Sequence, residues 1–260
     1  MTSPILVDTD ARGVATVTMN RPEAHNAFDD ALIGALADAF SGLGDNAAVR
    51  AIVLKGAGKN FSAGADLKWM RRMSEAPRAE SIADAKRLAT MLRVIDRVAK
   101  PTVALVQGAA MGGGVGLASV CDMVIAADNA IFSLSEVRLG LIPATIAPYV
   151  VAAIGPRQAR RYFLTAERFT AEDAKRIGLA HDVVAVADMN AAANRIVDAL
   201  LGNGPVAVAG AKKLIRDVAG RAVDEAVMND TAGRIADIRA SAEGKEGVAA
   251  FLEKRKPNWS

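Results

Sequence analysis

Three places in this chain carry residue types that could act on a bound molecule. The first is Gln107-Gly-Ala-Ala-Met-Gly-Gly-Gly-Val-Gly116, where the apolar run Val103 to Val106 breaks into glycines before an apolar helical pattern. A strand, a glycine turn and a helix start leave backbone N–H groups unpaired and aimed outward, and glycine lets a ligand approach that backbone closely. The second is Lys59-Asn-Phe-Ser-Ala-Gly-Ala-Asp66, another glycine turn after the apolar run Val49 to Leu54. The candidate donors are the N–H groups of Ala65 and Gly113. Converging on one carbonyl oxygen, they would stabilise an enolate more than the neutral carbonyl, as rate enhancement requires. The third is Glu136, set among largely apolar neighbours in Phe132-Ser-Leu-Ser-Glu-Val-Arg-Leu-Gly140. A dry surrounding raises a carboxyl's pKa towards useful proton transfer. Each place also has a plainer reading. Glycine turns simply reverse the chain in many α/β sheets, and Ser133 with Glu136 three residues on has the spacing of a helix capping box.

Other chemistries fail on spacing. Gly56-Ala-Gly-Lys-Asn60 lacks the first glycine and the Ser/Thr of a phosphate loop. The glycines at 112–116 do not make the spaced dinucleotide pattern, and no serine sits in a Gly-x-Ser-x-Gly elbow. Two histidines and one cysteine, Cys121, argue against a metal cluster and against an internal disulfide, and suit a reducing compartment. The net charge of +3 gives no footprint for nucleic acid. The cations Arg71, Arg72, Lys86, Arg87, Arg93 and Arg97 are interleaved with Glu75, Glu80, Asp84 and Asp96, the usual pattern of a solvated helix face. The expected setting is cytoplasmic, because no signal peptide or transmembrane run stands out.

The elements that must position these residues follow from periodicity. Ile5 to Asp8 and Val14 to Met19 read as strands joined by a hairpin at Asp10-Ala-Arg-Gly13, and Phe28 to Leu43 reads as a helix. A longer amphipathic helix is expected over 78–99, with Ile82, Ala85, Leu88, Ala89, Leu92, Ile95 and Val98 on one face. Cys121 to Ala126 and Ala130 to Ser133 continue the strands. This alternation predicts an α/β core with mainly parallel strands. From about residue 145 only helices are expected, the first of them over Gln158 to Leu164, forming a helical subdomain.

Taken together, several segments resemble the enoyl-CoA hydratase/isomerase, or crotonase, superfamily in order and spacing. They are Asn20-Arg-Pro-Glu-Ala-His-Asn-Ala27, Phe61-Ser-Ala-Gly-Ala-Asp-Leu-Lys68, Gln107 to Gly114, Cys121-Asp122 and Ser135-Glu-Val-Arg-Leu-Gly-Leu-Ile-Pro143. With Thr170 to Leu179 and the tail Phe251-Leu-Glu-Lys-Arg-Lys256, the match spans nearly the whole chain. The resemblance implies a crotonase-like α/β spiral of ββα units over residues 1–200 and a C-terminal helical trimerisation region over 201–260. It also implies a homotrimer or a dimer of trimers. The ligand it implies is an acyl-CoA, with its thioester carbonyl held by the N–H groups of Ala65 and Gly113. No separate cofactor, metal, membrane or nucleic acid is implied. Ala24, His25, Ala65, Asp66, Leu67 and Lys68 match positions lining the CoA, and Phe251 and Lys254 match tail residues that reach a CoA, commonly on a neighbouring subunit.

Glu136 matches the second of two catalytic glutamates in the two-acid hydratases, while the place of the first holds Gly116. The second departure is Ala144-Thr-Ile-Ala-Pro-Tyr149, where many hydratases carry a run of glycines. Gly64 to Arg72 and Leu141 to Pro148 are similar to bacterial members assigned to 3-methylglutaconyl-CoA hydration in leucine breakdown. That branch often carries glycine at the first-acid place. The implied reaction is addition of water to a 2-enoyl-CoA; a Δ3,Δ2-enoyl-CoA isomerase using the same glutamate is the alternative. Arg71, Arg72 and Arg138 are each candidates to meet a distal carboxylate on the substrate, or plain surface charges.

Overall fold

The alternating apolar residues of the central strands face two separate cores. In the strand Thr102–Val106, Ala104 and Val106 enter one cluster while Val103 and Leu105 enter another. The strands Ala51–Gly56 and Met123–Ala127 divide in the same way, with Ile52, Leu54, Val124 and Ala126 on one side and Val53, Ile125 and Ala127 on the other. A sheet buried on both faces reads as a continuous apolar run, which is what parallel strands covered by helices require.

The computed structural model describes residues 3–259. In chain order it begins β1 (Ile5–Thr9), β2 (Val14–Met19), α1 (Asp30–Asp45), β3 (Ala51–Gly56), α2 (Leu67–Glu75) and α3 (Arg78–Arg97). Next come β4 (Thr102–Val106), β5 (Ala109–Met111), α4 (Gly113–Ser119), β6 (Met123–Ala127), β7 (Ile131–Ser133) and α5 (Ala147–Thr165). Then follow β8 (Phe169–Thr170), α6 (Ala171–Arg176), β9 (Asp182–Val184) and α7 (Met189–Leu201). Three helices close the chain, α8 (Pro205–Val218), α9 (Glu225–Ala240) and α10 (Ala242–Leu252).

The main sheet has the order β1-β2-β3-β4-β6-β9, antiparallel at the β1–β2 hairpin and parallel elsewhere. A second sheet, β5-β7-β8, pairs parallel and then antiparallel. Helix α1 starts where the Asp29 side chain accepts the Leu32 N–H, and it buries Leu32, Ile33, Leu36 and Phe40 in the first core, against α3. Helix α7 covers the other face with Met189, Ala192, Ala193 and Val197.

Three expectations need correction. The chain beyond 145 is not all helical, because β8 and β9 lie there and β9 adds a parallel edge strand to β6. Strands of two or three residues carry too little pattern to stand out between helices. The helix expected near Gln158 is the second half of α5, which begins at Ala147 and breaks at Gly155, just before Pro156. In α3 the predicted apolar face holds only from Leu88 onward. Ile82 and Ala85 are exposed, and the buried residue of the first turns is Asp84.

Helices α8–α10 bury little of their own, with only Val227 and Ala250 fully covered. A polar network ties α8 to the sheet. Lys212 Nζ donates to Asp122 Oδ2 at 2.7 Å and to the Lys100 carbonyl at 3.1 Å. The same Asp122 oxygen accepts the Thr102 N–H and hydroxyl at 2.7 and 2.9 Å. Among the described residues, no helix is long and apolar enough to cross a membrane.

Candidate functional site

The two glycine turns lie 48 residues apart in sequence, from Ala65 to Gly113, and β-type pairing brings them together. Phe61 N–H donates to the Gln107 carbonyl (2.8 Å), Ser62 N–H to Ala109 (3.0 Å), and Met111 N–H back to Ser62 (2.9 Å). On the other side, Phe28 N–H donates to Gly64 (2.7 Å) and Asp66 N–H donates to Phe28 (2.9 Å). These bonds flank Ala65. Among the described residues, neither its N–H nor that of Gly113 has a protein acceptor. A Cβ built on Gly64 would lie 3.9 Å from the Gly113 nitrogen, so the two turns abut. Two neighbouring peptide donors without partners are the geometry that an anionic oxygen fills.

Buried side chains hold this frame. Asn26 is fully buried in a left-handed backbone conformation (φ 54°), one that Asn tolerates better than most residues. Its Oδ1 accepts the Arg21 N–H at 3.0 Å, and its Nδ2 donates to the carbonyls of Ala57 and Asn60, both at 2.9 Å. Ser62 Oγ donates to the Asn26 carbonyl at 2.9 Å and accepts the Gly64 N–H at 3.3 Å. Arg21 then joins the starts of two helices, reaching Asp29, which caps α1, at 3.0 Å and Asp66, which caps α2, at 3.2 Å. Burial pushes the Asp66 carboxyl up, but the N–H groups of Lys68 and Trp69 with Arg21 hold it below its usual value. In the sequence alone, Arg21, Asn26 and Ser62 stand within the motifs with no part of their own. The signal was small or amide-bearing polar residues inside otherwise apolar turn segments, which usually means satisfied backbone groups.

Glu136 opens a 3-10 turn, Glu136–Leu139, that no side chain caps. The capping-box alternative is therefore not what forms. Ser133 Oγ donates instead to the Ala166 carbonyl at 3.1 Å. The Glu136 Oε2 is buried with no hydrogen-bond partner. Burial raises the Glu136 pKa above the usual carboxyl value of 4.5, while a bond to its own backbone N–H pulls the other way. Its carboxylate lies against Gly112, the residue just before the Gly113 donor. A Cβ on Gly112 would stand 2.7 Å from Glu136 Oε1. Gly112 itself has φ 48° and ψ −112°, a conformation open to glycine. The arrangement can stabilise negative charge on one oxygen and move a proton close by.

A cavity of about 870 Å³ runs from the Ala65 turn along α2, and Gly113 and Glu136 lie outside its lining. Ala24, His25, Ala65, Asp66, Leu67 and Lys68, all named from sequence, line it. Phe251 and Lys254 do not, and Phe251 is 82% exposed on α10. Of the three arginines, Arg72 lines the cavity but is engaged by Asp30, which also accepts from Arg87 at 3.1 Å. Arg71 is exposed beside Glu75, and Arg138 is exposed on the Glu136 turn. Gly116 is buried in α4. Among the described residues, no group of three or more His, Cys, Asp or Glu gathers in a way that could hold a metal ion.

Comparisons with known proteins agree along nearly the whole length. A family model described as enoyl-CoA hydratase/isomerase matches residues 9–260. The chain is similar to a crotonyl-CoA hydratase of Syntrophomonas wolfei, with 34% identity over 248 residues, covering 95% of this chain and 94% of that protein. It is also similar to a short-chain-enoyl-CoA hydratase of Clostridium acetobutylicum, 32% identical over 246 residues, covering 94% and 92%. Among solved structures, an enoyl-CoA hydratase from Shewanella pealeana superposes with a TM-score of 0.95 at 44% identity, covering 98% of this chain and 96% of that one.

Proposed function

Because the chain belongs to the enoyl-CoA hydratase/isomerase family, we propose that it adds water reversibly across the C2–C3 double bond of a 2-enoyl-CoA. One observation carries this reading. The carboxylate of Glu136, whose buried Oε2 has no partner, lays its Oε1 against Gly112, next to a free backbone donor of the turn pair. The thioester carbonyl accepts from the N–H groups of Ala65 and Gly113. As the water oxygen bonds to C3, the π electrons of C2=C3 move onto the carbonyl oxygen, and the two donors bind the resulting enolate more tightly than the substrate. Glu136 takes a proton from the attacking water and returns a proton to C2. The sum is one molecule of water added and an unchanged enzyme. Positioned proton transfer of this kind contributes about 10²–10⁴-fold, and the paired donors add a term of order 3 kcal/mol each.

The CoA moiety runs along Ala24, His25 and the start of α2 from Ala65 to Lys68, with Phe251 and Lys254 supplied from a neighbouring subunit. No separate cofactor takes part. Exposed apolar residues on the last helices, Ile215, Met228, Ile235 and Val248 among them, support residues 201–260 as the trimerisation region of a trimer or a dimer of trimers. The region preceding it is the catalytic core.

The test follows enoyl-thioester absorbance with crotonyl-CoA and with 3-methylglutaconyl-CoA. Loss of absorbance with formation of a 3-hydroxyacyl-CoA is expected, and the faster of the two substrates identifies the acyl class. No hydration of either would overturn the reading. A second reading, Δ3,Δ2-enoyl-CoA isomerisation, is favoured by the single carboxylate. In that case a 3-enoyl-CoA gives the conjugated product with no oxygen taken from water.

A further inference from the structure

Two departures that look independent in the sequence meet in space. The resemblance places Gly116 where two-acid hydratases have a carboxylate, and sets Ala144-Thr-Ile-Ala-Pro148, which begins twenty-eight residues later, where many hydratases have a glycine run. A Cβ built on Gly116 would lie 2.1 Å from Ile146 Cγ2 and 2.6 Å from Ile146 Cβ. Ile146 is 2% exposed and stands at the start of α5, which packs on α4. The obstruction is not a flexible tip. The Cβ of Ile146 is fixed by its backbone, and a β-branched side chain has little freedom at χ1 to swing its methyl away. Any residue other than glycine at 116 must therefore push α4 and α5 apart, in a core that does not deform gradually.

We propose that Ile146 is the residue that makes this a one-carboxylate site. Its side chain fills the volume a side chain at 116 would need, so position 116 is held as glycine and Glu136 is left as the only carboxylate to move protons. The steric half stands on the contact alone. The catalytic half rests on the hydratase reading above and specifies it, because one carboxylate must then serve both the water and C2.

A double-mutant cycle separates the two halves. Gly116→Ala alone lowers Tm, since its new methyl meets Ile146. In an Ile146→Gly background, where no Cβ remains at 146, the same Gly116→Ala change fills space and gains helix propensity, so it raises Tm by about 2–4 °C. Glycine is acceptable at a helix N-cap. Should Ile146→Gly not fold, Ile146→Ala replaces it: the 2.1 Å contact is gone and the 2.6 Å contact remains, so Gly116→Ala costs fewer degrees than in wild type but still lowers Tm. A Gly116→Ala variant as stable as wild type, or the same loss of Tm in every background, overturns the steric half whatever the enzyme catalyses. For the catalytic half, kcat/KM of wild type on crotonyl-CoA falls with a single ionisation on the acid side. Gly116→Glu combined with Ile146→Gly adds a second ionisation, absent from Ile146→Gly alone. Profiles without that difference overturn it. A wild type that hydrates no enoyl-CoA removes the hydratase reading while leaving the Tm result intact.

Discussion

Replacing Gly112 by alanine strikes the site at one atom. Gly112 sits at φ 48° and ψ −112°, a region that L-residues occupy only under strain of about 1–3 kcal/mol. At about 2–4 °C per kcal/mol for a chain of this size, the strain alone lowers Tm by roughly 2–12 °C. The new methyl would also stand 2.7 Å from Glu136 Oε1 and 3.3 Å from its Cδ. Ordinary contact requires the carboxylate to retreat by about 1 Å, and a displacement of that size costs on the order of 10²-fold in rate. Gly220→Ala is the control. Gly220 also has a positive φ, 72°, but no atom stands within 4 Å of its added Cβ, so the strain comes without the collision. Initial rates of crotonyl-CoA hydration and calorimetric scans of both variants decide the matter. Both variants should lose Tm, and only Gly112→Ala should lose rate. A Gly112→Ala enzyme with wild-type rate would refute the placement of Glu136 against that turn.

The acid limb of the kcat/KM profile should lie above the usual carboxyl value of 4.5, because burial raises the Glu136 pKa and the base must be ionised to accept a proton from water. A limb at or below 4.5 would remove Glu136 as that base. The sign for stability is the reverse of activity. A carboxyl with a raised folded pKa lends stability below its unfolded pKa and loses it as pH rises through the folded value. Glu136→Gln should therefore match or exceed wild-type Tm at pH 7 and lose that advantage on acidification, as measured by calorimetry at pH 7 and pH 4. Cys121 is buried and its thiol is pushed up to about 12 by burial first and Asp122 second. A thiol reagent at pH 8 should leave it unmodified until denaturant unfolds the chain, which mass spectrometry reads directly.

What the sequence made legible were the local patterns. The apolar runs 49–54, 103–106 and 121–126 mark the central strands, found at 51–56, 102–106 and 123–127, and the apolar period over 28–43 marks α1. The glycine turns were visible as turns. Their juxtaposition is implied by the resemblance rather than by local pattern, since it depends on Ser62 pairing with the Ala109–Met111 segment across almost fifty residues. Asp84 was misjudged for a related reason. Its burial comes from partners on another helix and one turn on, Trp69 Nε1 at 3.1 Å and Arg87 at 2.8 Å, rather than from the period of its own helix. Ser133 and Glu136 have capping-box spacing, yet the Ser133 hydroxyl finds the Ala166 carbonyl and the glutamate turns elsewhere. Gly116 and Ile146 each stood out as a departure, and only the fold makes them one contact.

In the proposed hydration, Glu136 carries the proton while the donors Ala65 and Gly113 hold the enolate. The most direct measurement is kcat/KM of Glu136→Gln on crotonyl-CoA, taken alongside its melting curve. A loss of about 10²–10⁴-fold is expected, in a protein at least as stable as wild type at neutral pH. Full activity in that variant would contradict it.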